Sequence, residues 1–311
     1  MQRSREYLIE IARRYYIDEH SQQEIAKEYN ISRPTVSNIL KQCKEEGIVE
    51  IRIKESSGFS RELANRLCNR FGLKGAIIVA SNEDPSATLS SAGAEAASFA
   101  SSITSDGMNV GIAWGTSLFQ MVNHLNHQNV VDTSVVQLMG GLGASNPQYD
   151  GANLARELSR LLNARYYPMQ CPVLVNNVTL KNMLIAEPGI KEALDRTCNL
   201  DIVFVGLSSN DPDKSALVKA GFMNRAEAED TLKAGAVGHI CGYSYDKDGK
   251  MLDHPVNHRI IGIEFKNLVG IKERIGIACG SEKAEAIKAA LTGGLITTLI
   301  TDESAALRIL S

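Results

Sequence analysis

The stretch SQQEIAKEYNISRPTVSNIL (residues 21–40) decides how the amino-terminal part of this chain folds. Ser21 with Glu24 three positions later is a capping box: the hydroxyl accepts an orphan amide of the first turn, and the carboxylate returns to the cap amide. Ile25, Ala26 and Tyr29 follow at helical spacing and supply the buried stripe of a short helix. Asn30-Ile31 breaks that helix, asparagine being suited to the left-handed backbone that ends one. Ser32 caps a second helix, and Pro34 falls in its first turn, where a missing amide hydrogen costs nothing. Val36, Ile39 and Leu40 face inward; Arg33, Thr35, Ser37, Asn38 and Lys41 face outward.

Upstream, residues 5–17 (REYLIEIARRYYI) place Leu8, Ile11, Ala12, Tyr15 and Tyr16 on one helical face. Two short helices joined by a tight turn behind a supporting helix form a helix-turn-helix. Downstream, Gly47 ends the second helix, and IVEIRIK (48–54) alternates apolar and polar residues like the strand of a wing. The outer face over 32–44 has the chemistry of a DNA reader. Arg33, Thr35, Ser37 and Asn38 are the candidate base contacts, and Lys41, Lys44, Arg52 and Lys54 the candidate phosphate contacts. A generic three-helix interaction module would share the polar face. The capped helix, turn, Ser-Arg-Pro-Thr-Val-Ser start and basic strand together favour DNA.

Charge adds little to that reading. Residues 1–54 carry 10 basic and 9 acidic residues within a 311-residue chain of net charge −3. Phosphate neutralisation dominates DNA affinity, so one such head binds weakly. A symmetric homo-oligomer, dimer or tetramer, on palindromic double-stranded operator DNA is therefore expected. The charged residues Arg3, Arg5 and Glu6 do not open a secretory signal, no apolar run is long enough for a membrane helix, and the six scattered cysteines suit reduced thiols. A cytoplasmic protein without membrane contact is expected.

Residues 55–60 (ESSGFS) are a polar linker, and from residue 61 to 311 the text changes to apolar β-like runs alternating with helical segments. The runs are 75–80, 109–114, 134–140, 201–206, 274–280 and 295–301, with helices at 85–102, from Thr116, at 151–163 and at 281–291. This predicts a large α/β domain with a mostly parallel sheet behind an all-α winged helix-turn-helix. Glycine-rich turns follow three strands: VGIAWGTSL (110–118), QLMGGLGAS (137–145) and VFVGLSS (203–209). Such turns at the carboxyl ends of strands, each leading into a helix, suit an anionic small molecule. Thr116 and Ser117 add hydroxyl donors, and Lys283 near the start of a helix is a candidate anion contact. No phosphate-binding P-loop or dinucleotide fingerprint is present, and no cofactor is called for.

In these pieces, and in AGAVGHICGYSYDKDGK (234–250), HRIIGIEFKNL (258–268) and CGSEKAEAIKAALTGGLITTLITDESAA (279–306), the chain resembles the SorC family of bacterial sugar-responsive transcription regulators over nearly its full length. The resemblance implies a winged helix-turn-helix and an effector domain like the sugar-phosphate isomerases and deaminases. It further implies a phosphorylated sugar or polyol effector and control of a carbohydrate operon. Carried over by motif, the effector phosphate would contact Gly115-Thr116-Ser117, Gly140-Gly141-Leu142 and Lys283; Gly206 and Leu207 would line the sugar; Asp302 would stand near the pocket or hold its architecture. Two positions depart from the pattern. Met139 stands where some relatives carry a Schiff-base lysine, and His239 where an aspartate is common, which alters the polarity expected of the pocket.

An isomerase or deaminase with an attached DNA-binding head is the rival reading. It would need a general base, for which Asp106, Asp150, His239 and Asp302 are candidates by type. Metal binding by His124 and His127, or by His254 and His258, lacks carboxylate or thiolate partners at ligand spacing. A nuclease would need an acidic cluster beside the DNA module. The reading taken forward is a non-enzymatic regulator.

Overall fold

The computed structural model describes residues 4–18, 20–49, 58–141 and 147–311. It divides into two compact units, Met1–Glu55 and Ser56–Ser311. Arg52, Lys54 and most of the expected wing, and Leu142 in the second glycine turn, lie outside the described residues.

The first unit holds α1 (Arg5–Tyr16), α2 (Gln22–Glu28) and α3 (Arg33–Glu45). Each begins on a serine: Ser4 accepts from the Tyr7 amide, Ser21 forms the full capping box with Glu24, and Ser32 accepts from the Thr35 amide. Asn30 has φ 51°, the left-handed turn its residue type predicts. Leu8, Ile11, Ile25, Val36, Ile39 and Cys43 close a small core to which all three helices contribute. Each such apolar side chain stabilises by roughly 1.5–3 kcal/mol. The Cys43 thiol donates to the Leu8 carbonyl, and the Tyr29 hydroxyl reaches Glu10 on α1.

The second unit is built on nine described strands: β1 (Gly75–Val79), β2 (Asn109–Ile112), β3 (Ser134–Gln137), β4 (Arg165–Tyr167), β5 (Ile202–Ser209), β6 (Gly238–Ile240), β7 (Tyr243–Tyr245), β8 (Glu273–Ile277) and β9 (Thr298–Asp302). Seven run in the order β1-β9-β8-β5-β2-β3-β4, all neighbours parallel. Their interiors are apolar because helices cover both faces; Val110, Val135, Val203, Phe204, Ile275 and Leu299 are sealed from solvent. The six apolar runs read in the sequence all contain a strand, but several end earlier, with the following residues forming the turns.

β6 and β7 form an antiparallel hairpin on the extended end of β5. Cys241 (φ 47°) and Gly242 (φ 83°) make its two-residue turn, both in the left-handed region that a tight hairpin demands.

Strand order sets where a ligand can sit. From β2 the chain winds outward through β3 to β4, and from β5 it winds the other way through β8 to β9. Where winding reverses, the loops leaving neighbouring strands separate and open a crevice at the carboxyl ends. In this sheet that crevice lies between β2 and β5.

Candidate functional site

On the first unit, α3 presents Arg33, Ser37, Asn38, Lys41 and Lys44 exposed, with Val36, Ile39, Leu40 and Cys43 buried behind them. Serine and asparagine sit in the middle of this face, and the lysines toward its carboxyl end. Thr35 is half-buried; its hydroxyl bonds that of Ser32 (2.8 Å), so it serves the helix cap. The Lys44 ammonium lies 6.0 Å from the centre of the Tyr16 ring.

On the second unit, a pocket of about 60 Å³ opens at the β2/β5 crevice. Gly115, Thr116, Ser117, Gly206, Leu207 and Lys283 all line it, brought together from β2, β5 and the turn after β8. Gly115 (φ 118°) turns the chain out of β2 into the helix Thr116–His124, and no side chain caps that helix. Its first amides are left to a ligand or water, and its dipole favours negative charge there. Lys283 ends the 3-10 turn Ser281–Lys283, so it stands just before the helix Ala284–Thr292 rather than inside it.

Asp302 explains how that turn is held. Only 1% exposed, it accepts from the Gly280 amide and from the hydroxyls of Ser81 and Ser304. Burial pushes its carboxyl up, but these hydrogen bonds outweigh burial and hold it below the usual carboxylate range. It is thus a brace for the Gly280 turn, and it is not among the residues lining the pocket.

Gly140 and Gly141 do not line this pocket with the other predicted residues. The chain passes the 171–172 segment at Gly140, where a Cβ would stand 2.5 Å from the Cys171 oxygen and from Pro172 backbone atoms. Gly141 continues the contact, its amide donating to the Cys171 carbonyl. Gly140 thus permits close packing of backbone against backbone, whereas a Cβ at Gly141 would come no nearer than 3.5 Å to the Asp150 carboxylate. Met139 is wholly buried against Gly242 and Gly262.

Of the remaining wall, the sequence pointed to His239 through the resemblance but gave no sign of Cys241 in the hairpin turn or of Ser208 on β5. His239, Cys241 and Ser208 line the pocket beside Lys283. Burial and the neighbouring Lys283 charge hold the His239 imidazole down at about 4, so it is neutral at neutral pH. Burial pushes the Cys241 thiol up to about 12, which leaves it protonated and unreactive. Of the other carboxylates weighed as catalytic bases, Asp106 accepts the Val131 amide and Asp150 caps the helix Gly151–Leu162. His254 and His258 bond Asp230 and Asp253, and among the described residues no three metal-ligating side chains converge.

A larger cleft of about 900 Å³ lies at the amino ends of the strands, lined in part by Lys74, Lys266 and Glu273. Two of the lysines lining it are engaged, Lys74 with Glu273 (2.6 Å) and Lys266 with Glu264 (2.7 Å). Size alone does not make it the anion site.

Comparison with known proteins agrees with this division. The Sugar-bind family of sugar-binding domains matches residues 56–311, and the Crp-like helix-turn-helix domain matches residues 2–57. The chain is 34% identical to the deoxyribonucleoside regulator of Bacillus subtilis over 98% of each chain. It is 29% identical to the sorbitol operon regulator of Klebsiella pneumoniae over 96% of each. The crystal structure of the full-length sorbitol operon regulator SorC from K. pneumoniae superposes with a TM-score of 0.85 at 27% identity, covering all of both chains. With a helix-turn-helix head, a sugar-binding unit and full-length likeness to such regulators, the chain belongs to the SorC family of sugar-responsive transcriptional regulators.

Proposed function

We propose that the effector of this regulator is a phosphorylated sugar or polyol held in the β2/β5 pocket, and that its binding controls the hold of α3 on an operator. The observation that carries the reading is that Lys283, Thr116 and Ser117 line one pocket at an uncapped helix start. A lysine, two hydroxyls and free amides are the donors a phosphate recruits. The sugar portion would lie along Gly206 and Leu207, where a glycine leaves room for it.

The DNA half of the reading rests on the exposed face of α3. Its amino-terminal end enters the major groove, Arg33, Ser37 and Asn38 toward base edges and Lys41 and Lys44 toward phosphates. One head with so little net charge needs a partner, so the protein acts as a homo-oligomer on a palindromic site in the cytoplasm. Effector binding shifts the balance between oligomer arrangements by its differential affinity for them. A regulator without catalysis is the reading taken here: of the four candidate bases, Asp106, Asp150 and Asp302 are each committed to a backbone contact, and only His239 lines the pocket.

A thermal-shift screen tests the effector half. Deoxyribose 5-phosphate and sorbitol 6-phosphate, chosen from the relatives' names, are set against the unphosphorylated sugars. A ligand that binds only the folded state raises the melting temperature; equal shifts from the unphosphorylated sugars would count against the phosphate. Lys41→Ala tests the DNA half. It should weaken binding to all duplexes alike and lower the salt slope by about 1, and a loss confined to one sequence would remove Lys41 from the phosphate contacts.

A further inference from the structure

We infer that Asp302 and Glu303 relay effector occupancy from the Lys283 turn to the helix Gly58–Phe71 (α4), by which the chain enters the second unit from the DNA-reading unit. Both act as positioning residues, and the inference rests on the reading of the β2/β5 pocket as the effector site.

Asp302 is the last residue of β9, and it laces together the carboxyl ends of three strands. One of its carboxylate oxygens accepts from the Gly280 amide after β8 (2.7 Å), and the other from the Ser81 hydroxyl after β1 (2.7 Å). The Gly280 carbonyl in turn accepts from the Lys283 amide (3.0 Å). A buried carboxylate is thus one turn away from a lysine that lines the pocket. The final helix, Glu303–Leu310, starts at the next residue. A buried charge is tolerated only where its hydrogen bonds are kept, so the Lys283 turn and the start of this helix are held to one another.

The final helix is tied to α4 at both ends. Ser60, in the first turn of α4 and 5% exposed, donates its hydroxyl to the Glu303 carboxylate (2.7 Å). Arg70, in the last turn of α4, donates to the Leu310 carbonyl (2.9 Å). Between these ties, Leu63 and Leu67 of α4 share a core with Ala306 and Ile309 of the final helix. Coupling between distant places is carried by such packed and hydrogen-bonded elements. α4 is the first described helix of the second unit, so the Ser60–Glu303 bond stands at the covalent entrance to it.

Hydrogen exchange of the full chain tests the relay, with ribose 5-phosphate, deoxyribose 5-phosphate or sorbitol 6-phosphate as ligand. About a hundredfold excess over Kd slows opening that is fully linked to the site by about a hundredfold. In the unaltered protein the amides of residues 61–64 should slow by about tenfold, a partial share of that linkage. In Ser60→Ala and in Glu303→Ala this slowing should fall below about twofold, with the ligand's calorimetric affinity within about twofold of the parent's. Glu303→Gln, whose side-chain oxygen can still accept from Ser60, should keep the slowing. Three results overturn the inference and leave the effector reading standing: an α4 in the parent that is indifferent to bound ligand, slowing in Ser60→Ala and Glu303→Ala equal to the parent's, or a parallel loss of ligand affinity in them. If none of the three ligands binds the unaltered chain, the effector reading falls and this inference with it.

Discussion

The helix-turn-helix and the β2/β5 pocket are assembled over very different spans of chain. In the first, a serine meets an amide three residues on, an asparagine turns the backbone, and neighbouring helices close a core from within residues 8–43. In the second, Gly115, Gly206, His239 and Lys283 come from four distant segments and meet only because a seven-strand parallel arrangement reverses its winding between β2 and β5. The contrast teaches where damage should spread. A fault in the reader stays near its own turn, whereas a fault in the sheet's packing reaches the pocket from far away.

The sharpest way to break this contrast is Gly140→Val. The new side chain would collide with backbone at Cys171 and Pro172, which cannot swing aside as a side-chain tip can. Overpacking of that kind should cost the second unit about 3 kcal/mol. Urea unfolding followed by the fluorescence of Trp114, the only tryptophan and itself in the pocket wall, measures it. An unchanged midpoint would mean that the 171–172 segment yields. Lys283→Ala should come next, weakening a sugar-phosphate effector by about thirtyfold, the loss of roughly 2 kcal/mol expected for a hydrogen bond to a charged group. Operator binding in the absence of effector should not change. A normal effector titration of operator release would remove Lys283 from the site. The smallest effect belongs to the reader: Ser32→Ala removes the cap of α3 and should cost about 1 kcal/mol. Amide exchange should quicken in α3 while the Trp114 transition holds its place; movement of that transition would show the two units to be energetically linked.

What the sequence disclosed follows the same division. Ser21, Glu24, Asn30, Ser32 and Pro34 act on their immediate neighbours, so their residue types suffice to read the helices and the turn. Thr35 has a local role the sequence reading did not give it, its hydroxyl bonding that of the Ser32 cap. In the second unit the long apolar runs announced the parallel strands, and the Gly-Thr-Ser turn announced a helix start. β4 and the β6-β7 hairpin, only three residues per strand, are too short to show a period. The hairpin turn is also disguised, with cysteine at the position where asparagine or aspartate usually signals it. Glycines after strands carried an ambiguous message: Gly115 opens a helix toward the pocket, while Gly140 lets two stretches of backbone touch. Their surroundings, unlike their neighbours in sequence, distinguish the two.

The reversal of winding between β2 and β5 gives the pocket a mechanical character. Thr116 and Ser117 hang from one arm of the sheet, Lys283 from the other, and His239 from the hairpin that extends β5. A molecule gripped by all three ties together parts of the chain as far apart as Ser117 and Lys283, as a crosslink would, but one that forms and breaks with concentration. Local opening at the carboxyl ends of the strands would then be suppressed whenever the metabolite is abundant and restored when it is consumed. On the proposed reading the sheet would work as a clasp, whose tightness would record the supply of a sugar.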